Sequence, residues 1–215
     1  MLFGFVYINS VQITVLMRKV RYPMKQYTRV TPQFSLCGLN CCLCPRFRTT
    51  GSSRCPGCGG EDFHEKHPPC GIISCSQRHN GVEYCFQCNE YPCNRYTGLN
   101  EKDSFISYLH VPMDMDTAKD AGLENYLDQL SKKSHILDIL LDEWDNGRLK
   151  SYFCLAVNVL PLLDLEIAMS EITHKIHQQT AEASTNPGNG NNGKMAKEYF
   201  DKIAAEQGIS LELRR

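Results

Sequence analysis

The sequence predicts a small, metal-stabilised, loop-rich cysteine module followed by an all-α helical region. Three observations carry that expectation. Eleven of the twelve cysteines fall between Cys37 and Cys93. The same stretch is dense in glycine and proline, which implies turns and loops with at most short strands or single helical turns. Beyond residue 97 a single cysteine remains, and apolar residues return at the three- and four-residue steps of amphipathic helices.

A length of 215 residues bounds the chain to one or two domains. The expected division is an N-terminal extension over 1–36, the cysteine module over 37–96 and a helical region over 97–179. A flexible linker over 180–193 and a C-terminal helix and tail over 194–215 complete it. Residues 2–17 are apolar, yet no positive charge precedes them, no small-residue cleavage site follows, and Asn9, Ser10 and Gln12 interrupt the run. It is also too short to cross a bilayer. The expectation is a start placed too early, with Met17 or Met24 as the first residue; a weak membrane anchor is the alternative. A cytoplasmic location follows, where thiols stay reduced and cysteine clusters hold metal.

Charge is unevenly spread. Residues 1–36 carry five Lys/Arg and no acid, residues 37–96 six against five, and residues 97–215 twelve against nineteen. Nucleic-acid binders show a basic footprint. Neither expected folded part has one, so nucleic acid and membrane are disfavoured as partners, and an unidentified protein partner is what remains.

The cysteines are spaced Cys37-x3-Cys41-Cys42-x-Cys44, Cys55-x2-Cys58, Cys70-x4-Cys75 and Cys85-x2-Cys88-x4-Cys93. A Cys-x2-Cys pair brings two thiolates to one ion from a tight turn, and two such pairs complete a tetrahedral shell. Cys41, Cys44, Cys55 and Cys58 fit one shell directly. Cys70, Cys75, Cys85 and Cys88 make a second of looser spacing, and a cross-braced pairing is equally allowed. Cys37, Cys42 and Cys93 are left over. His64, His67 and His79 could each replace a sulfur, although solvated loop positions are their plainer reading. Well-separated pairs favour zinc, with two ions; the surplus thiols keep an iron–sulfur cluster as the alternative. Besides cysteine, the module has only eleven large apolar side chains, too few to order some sixty residues. A structural zinc site contributes roughly 10–16 kcal/mol in small peptides, so metal is expected to be needed for folding.

Three runs carry a resemblance: Cys37–Pro45 (CGLNCCLCP), Cys55–Cys58 (CPGC) and Val82–Cys93 (VEYCFQCNEYPC). Together they resemble a prokaryotic family of cysteine-rich proteins labelled as a domain of unknown function and described as zinc-binding. The likeness covers Leu36 to about Tyr96, and the helical tail is similar to an extension carried by one subgroup. Matched position by position, it implies Cys37, Cys41, Cys44, Cys55, Cys58, Cys70, Cys75, Cys85, Cys88 and Cys93 as the shared pattern. Cys37 and Cys93 thereby join the eight shell cysteines as further ligand candidates. Cys42 departs from the pattern and is not expected to bind. No reaction is implied.

In the helical region, Asp116 or Thr117 is expected to cap a long helix whose stripe is Leu123, Tyr126, Leu130, Leu137, Leu140 and Trp144, interrupted at Lys133 and stopped by Gly147. Leu149–Leu160 reads as a short buried helix. Pro161 opens another with the stripe Leu162, Leu165, Met169, Ile172 and Ile176. Lys194–Gln207 reads as a helix with Tyr199, Phe200 and Ile203 inward, stopped by Gly208, and Ile209–Arg215 as a short strand or tail. Gly188-x-Gly190-x-x-Gly193 has dinucleotide-site spacing but follows no strand. Glu171-x-x-His174 has di-metal spacing but lacks its partners. Cys154 reads as a buried small hydrophobe. The function expected from all this is zinc binding with a mainly structural metal in a binding or adaptor protein, leaning away from an enzyme. The alternative is an iron–sulfur or thiol-redox protein using the same cysteines.

Overall fold

A computed structural model describes residues 27–99, 101–183 and 189–215 of the chain. The expected N-terminal extension therefore lies outside the described residues up to residue 26, as do the apolar run 2–17 and the alternative starts Met17 and Met24. The fold is helical, and among the described residues no β-strand forms; Phe34 and Asn40 make an isolated antiparallel bridge. None of the described helices is long and apolar enough to cross a membrane.

Two short helices, α1 (Phe63–Lys66) and α2 (Gly71–Arg78), lie within the cysteine-rich stretch, with 3-10 turns at Cys41–Leu43 and Cys85–Gln87. Five helices follow: α3 (Val111–Asp120), α4 (Leu123–Ile139), α5 (Lys150–Val159), α6 (Leu162–Ala183) and α7 (Asn189–Gln207). The stripe expected for the long helix is the one buried: Tyr126, Leu130, Leu137, Leu140 and Trp144 all face the core. Its beginning differs. Instead of starting at Asp116 or Thr117, the chain forms α3 and then breaks at Gly122, whose φ of 93° and ψ of 139° suit glycine alone. The end also differs, since Leu140–Trp144 continues α4 as a π turn before Asp145 extends. Lys133 interrupts the stripe because its ammonium donates to the Leu160 and Asn158 carbonyls (2.7 and 3.3 Å), tying α4 to the end of α5.

Helix α5 is the buried element its composition suggests, with Phe153 to Leu160 all inaccessible. Pro161 stands just before α6, and its carbonyl accepts the Leu165 N–H. Within the expected linker over 180–193, helix occupies 180–183 and 189–193, and 184–188 lie outside the described residues. The C-terminal segment forms no strand. Arg214 instead binds Asp103 through backbone and guanidinium, and this holds the Asp103 carboxyl down to about 2.

Gly193 explains why an Asn/Gly-rich run can be helical here. A Cβ at this position would lie 2.4 Å from the Trp144 carbonyl oxygen, so α7 packs on the end of α4 only without a side chain. Alanine would be favoured by roughly 1 kcal/mol on helix propensity alone, but the clash is with backbone and cannot rotate away. Gly193→Ala is therefore expected to destabilise. At about 2–4 °C per kcal/mol for a chain of this size, calorimetry should show a lower Tm; a raised Tm would show that α7 is not seated on Trp144.

One core joins the two halves of the chain. Phe34, Cys42, Leu43 and Tyr84 pack in the same cluster as Met115, Leu137, Phe153, Leu165 and Phe200. Polar ties reinforce it. Arg48 binds Asp138, the Ser134 hydroxyl (2.6 Å) and the Cys42 carbonyl (2.5 Å). A second, smaller cluster of Leu36, Cys58, Phe63 and Ile73 lies inside the cysteine-rich stretch, with Cys41, Cys70 and Cys85 against it.

Candidate metal centre

The cysteine loops are organised by the segment from Pro32 to Leu36. Along this lead-in, the Gln33 carbonyl accepts the Cys42 N–H (3.1 Å), the Pro32 carbonyl the Cys58 N–H (3.0 Å) and the Leu36 carbonyl the Cys85 N–H (2.9 Å). Phe34 and Leu36 are fully buried, so the segment is anchored by side chains as it collects three loops.

Two of those loops are copies of one another. In both Cys41–Phe47 and Cys85–Tyr91 a 3-10 turn ends on a cysteine with φ −80° and ψ near 135°, at Cys44 and at Cys88. In each, the second cysteine N–H returns to the first cysteine carbonyl at 3.0 Å. The N–H three residues further on, of Phe47 or of Tyr91, then returns to that second cysteine, again at 3.0 Å. Cys55–Cys58 shares the same spacing, but the geometric partner of Cys85–Cys88 is Cys41–Cys44. At Cys58 the N–H goes instead to Pro32, and at Cys55 it goes to the Arg46 carbonyl.

All twelve cysteines are free thiols, and those of the array fall into two groups. Cys37 interacts electrostatically with Cys58, Cys70 and Cys85, Cys41 with Cys58, Cys37 and Cys55, and Cys58 with Cys70. Cys37, Cys41, Cys58 and Cys70 thus neighbour one another, Cys44 and Cys55 adjoin them beside Cys41, and the Cys37–Cys85 approach links this group to the next. The second group surrounds Cys85, whose thiol neighbours are Cys93, Cys75 and Cys88. These four line one small cavity of about 20 Å³ together with Tyr91, Arg95 and Tyr96. Cys70, expected beside Cys75, Cys85 and Cys88, lies near Cys37 and Cys58 and packs with Cys85 against the cluster of Leu36, Phe63 and Ile73.

The electrostatics are those of crowded, buried thiols. Burial first, and neighbouring thiols after it, push Cys37 up to about 12 and Cys85 up to about 11, and hold Cys41 well above its ordinary value. Two arginines oppose this. Arg29 lies beside Cys58, and Tyr27 also hydrogen-bonds that sulfur. At Cys75 burial acts upward, but the Arg95 guanidinium and His79 outweigh it and pull the thiol below its ordinary value. Without a cation Cys37, Cys41 and Cys85 stay protonated; a bound divalent ion would reverse that, because a coordinating thiol is deprotonated outright. As a donor set, clustered soft sulfurs with cationic neighbours fit zinc or iron–sulfur chemistry. Among the described residues, no three His, Cys, Asp or Glu side chains already stand in ligating geometry.

The remaining residues divide clearly. Cys42 faces away from the array, toward Arg48, Asp138 and Ser134. Cys154 is buried in α5. His79 is engaged by the Cys75 carbonyl (2.9 Å) and Glu90 (3.2 Å), and His67 by the Pro68 carbonyl and the Phe63 ring. The His64 Nε2 is buried without a hydrogen bond. Glu171, His174 and His177 are exposed on α6; Gly190 and Gly193 lie within α7, and Gly188 lies outside the described residues. Sequence reasoning missed Arg29, Arg95 and the tyrosines against the sulfurs. No spacing rule marks them; the only trace of Arg29 is a lone cation in the lead-in.

Residues 33–98 match the family described as "Protein of unknown function (DUF3795)". The matched segment holds all eleven cysteines of the array. No curated protein matches the chain, and no solved structure does.

Proposed function

We propose that the Cys37–Cys93 stretch binds two zinc ions whose role is to fold it, and that the chain acts as a cytoplasmic binding or adaptor protein. The observation that carries this reading is the sorting of ten free thiols into two buried or half-buried groups. One ion would draw on Cys37, Cys41, Cys58 and Cys70, with Cys44 and Cys55 adjoining. The other would draw on Cys75, Cys85, Cys88 and Cys93. Each group would close by side-chain movement, since no three donors stand in ligating geometry. Closed four-thiolate shells leave no open coordination position, which is why the metal is read as structural. Two negative charges remain on such a shell, and Arg29 and Arg95 are placed to offset them.

A second reading, iron–sulfur or thiol-redox chemistry, is favoured by one observation. Cys75 is half-buried and drawn toward its thiolate by Arg95 and His79, as reactive cysteines are by neighbouring cations. Metal analysis of the purified chain with its ultraviolet–visible spectrum separates the two. Two zincs per chain and a colourless solution are expected. Iron with visible absorption would favour the iron–sulfur form of the second reading, and a folded protein without metal would contradict the zinc reading and leave only the thiol-redox form.

A further inference from the structure

Outside the cysteine array, the chain has a cavity of about 420 Å³ between α3, α4 and the α5–α6 junction, within the range of small-molecule pockets, roughly 300–1,000 Å³. Two opposite charges face it. Asp114, in the first turn of α3, accepts from the Asn40 amide at 3.0 Å. Lys133, on α4, donates to the carbonyls that end α5. Each feels the other's charge, but among the described residues no direct ion pair joins them. Burial makes both costly to keep ionised: the Asp114 carboxyl is pushed up to about 6 and the Lys133 ammonium down to about 8.

The polar groups here are held in place. The buried Asn40 side chain donates to Asp114 and to the Asn158 side-chain amide oxygen Oδ1 (3.2 Å), and it accepts from the Tyr126 hydroxyl (2.8 Å). The rest of the wall is largely apolar, with Met113, Leu130, Val159 and Leu162. A ligand carrying only an anion would answer Lys133 and crowd Asp114; one carrying only a cation would do the reverse. A zwitterion with an apolar body answers both charges and the wall. We propose that this cavity binds an α-amino acid with an apolar side chain, its ammonium at Asp114 and its carboxylate at Lys133. Charge-assisted hydrogen bonds of this kind are the strong ones in a desolvated site.

The test is calorimetric titration of the full chain, as purified, with L-leucine, L-isoleucine, L-valine, L-methionine and L-phenylalanine. At least one should bind with a Kd below about 1 mM. The N-acetyl and amide forms of that amino acid each lack one charge and should bind at least about tenfold more weakly, about 1.4 kcal/mol. Asp114→Asn should lower affinity for the free amino acid by a similar factor and leave the N-acetyl form unaffected. No binding by any of the five would overturn the proposal. So would N-acetyl and amide derivatives that bind as well as their parent, a result independent of how any variant folds.

Discussion

If the proposed zinc sites form, Cys58→Ser is expected to abolish zinc binding and unfold the cysteine-rich stretch, and Cys42→Ser to do neither. Both residues are buried, so simple loss of a core thiol cannot separate them. Cys58 sits in the first thiol group, beside Arg29 and against the Leu36, Phe63 and Ile73 cluster. Cys42 faces α4 through Arg48 and Ser134. A structural zinc contributes roughly 10–16 kcal/mol in small peptides, more than the whole margin of a typical domain, about 5–15 kcal/mol. Even a loss of 5 kcal/mol corresponds to a fall of at least about 10 °C in Tm for a chain this size. Because the array shares its core with α3–α7, the loss should reach the helices and appear in the main melting transition. Zinc content and Tm measured on both variants decide it. A Cys58→Ser protein that keeps its Tm without zinc would remove the structural role of the metal.

Arg29→Met costs the second-largest amount, about 3–5 kcal/mol, the range for breaking a buried charged network from one side. The Arg29 side chain is 0% exposed. Its guanidinium lies 4.6 Å over the Tyr84 ring and donates to the carbonyls of Phe34 (2.6 Å) and Glu83 (3.0 Å) and to the Glu83 carboxylate (3.0 Å). Methionine fills the volume but leaves two carbonyls and the Cys58 sulfur without their cation. Arg29→Lys keeps the charge without the planar fork and should recover only part of the loss. Urea unfolding of the three proteins reads this out. If methionine costs less than about 1 kcal/mol, Arg29 is not a working part of the array.

Much of the helical half was legible because its information is local. The stripe from Tyr126 to Trp144 repeats at helical spacing whether or not anything packs on it. The break at Gly122 was hidden because an isolated glycine is compatible with a continuing helix. The Asn/Gly run before Lys194 looked like a linker because composition does not reveal the Trp144 carbonyl that excludes a side chain at Gly193. In the array, spacing identified which cysteines share a turn, and the turns at Cys41–Cys44 and Cys85–Cys88 do form. Which turns meet is set by contacts distant in sequence: the segment from Pro32 to Leu36 gathers Cys42, Cys58 and Cys85. No pairing rule contains that segment. The same applies to Asn40, whose amide connects Asp114, Tyr126 and Asn158 across more than seventy residues.

If both thiol groups close around zinc, X-ray absorption at the zinc edge of the purified chain should show an average of four sulfurs per zinc at about 2.3 Å and no lighter ligand. Nitrogen or oxygen ligands at about 2.0–2.1 Å, or iron in place of zinc, would contradict a pair of closed thiolate shells.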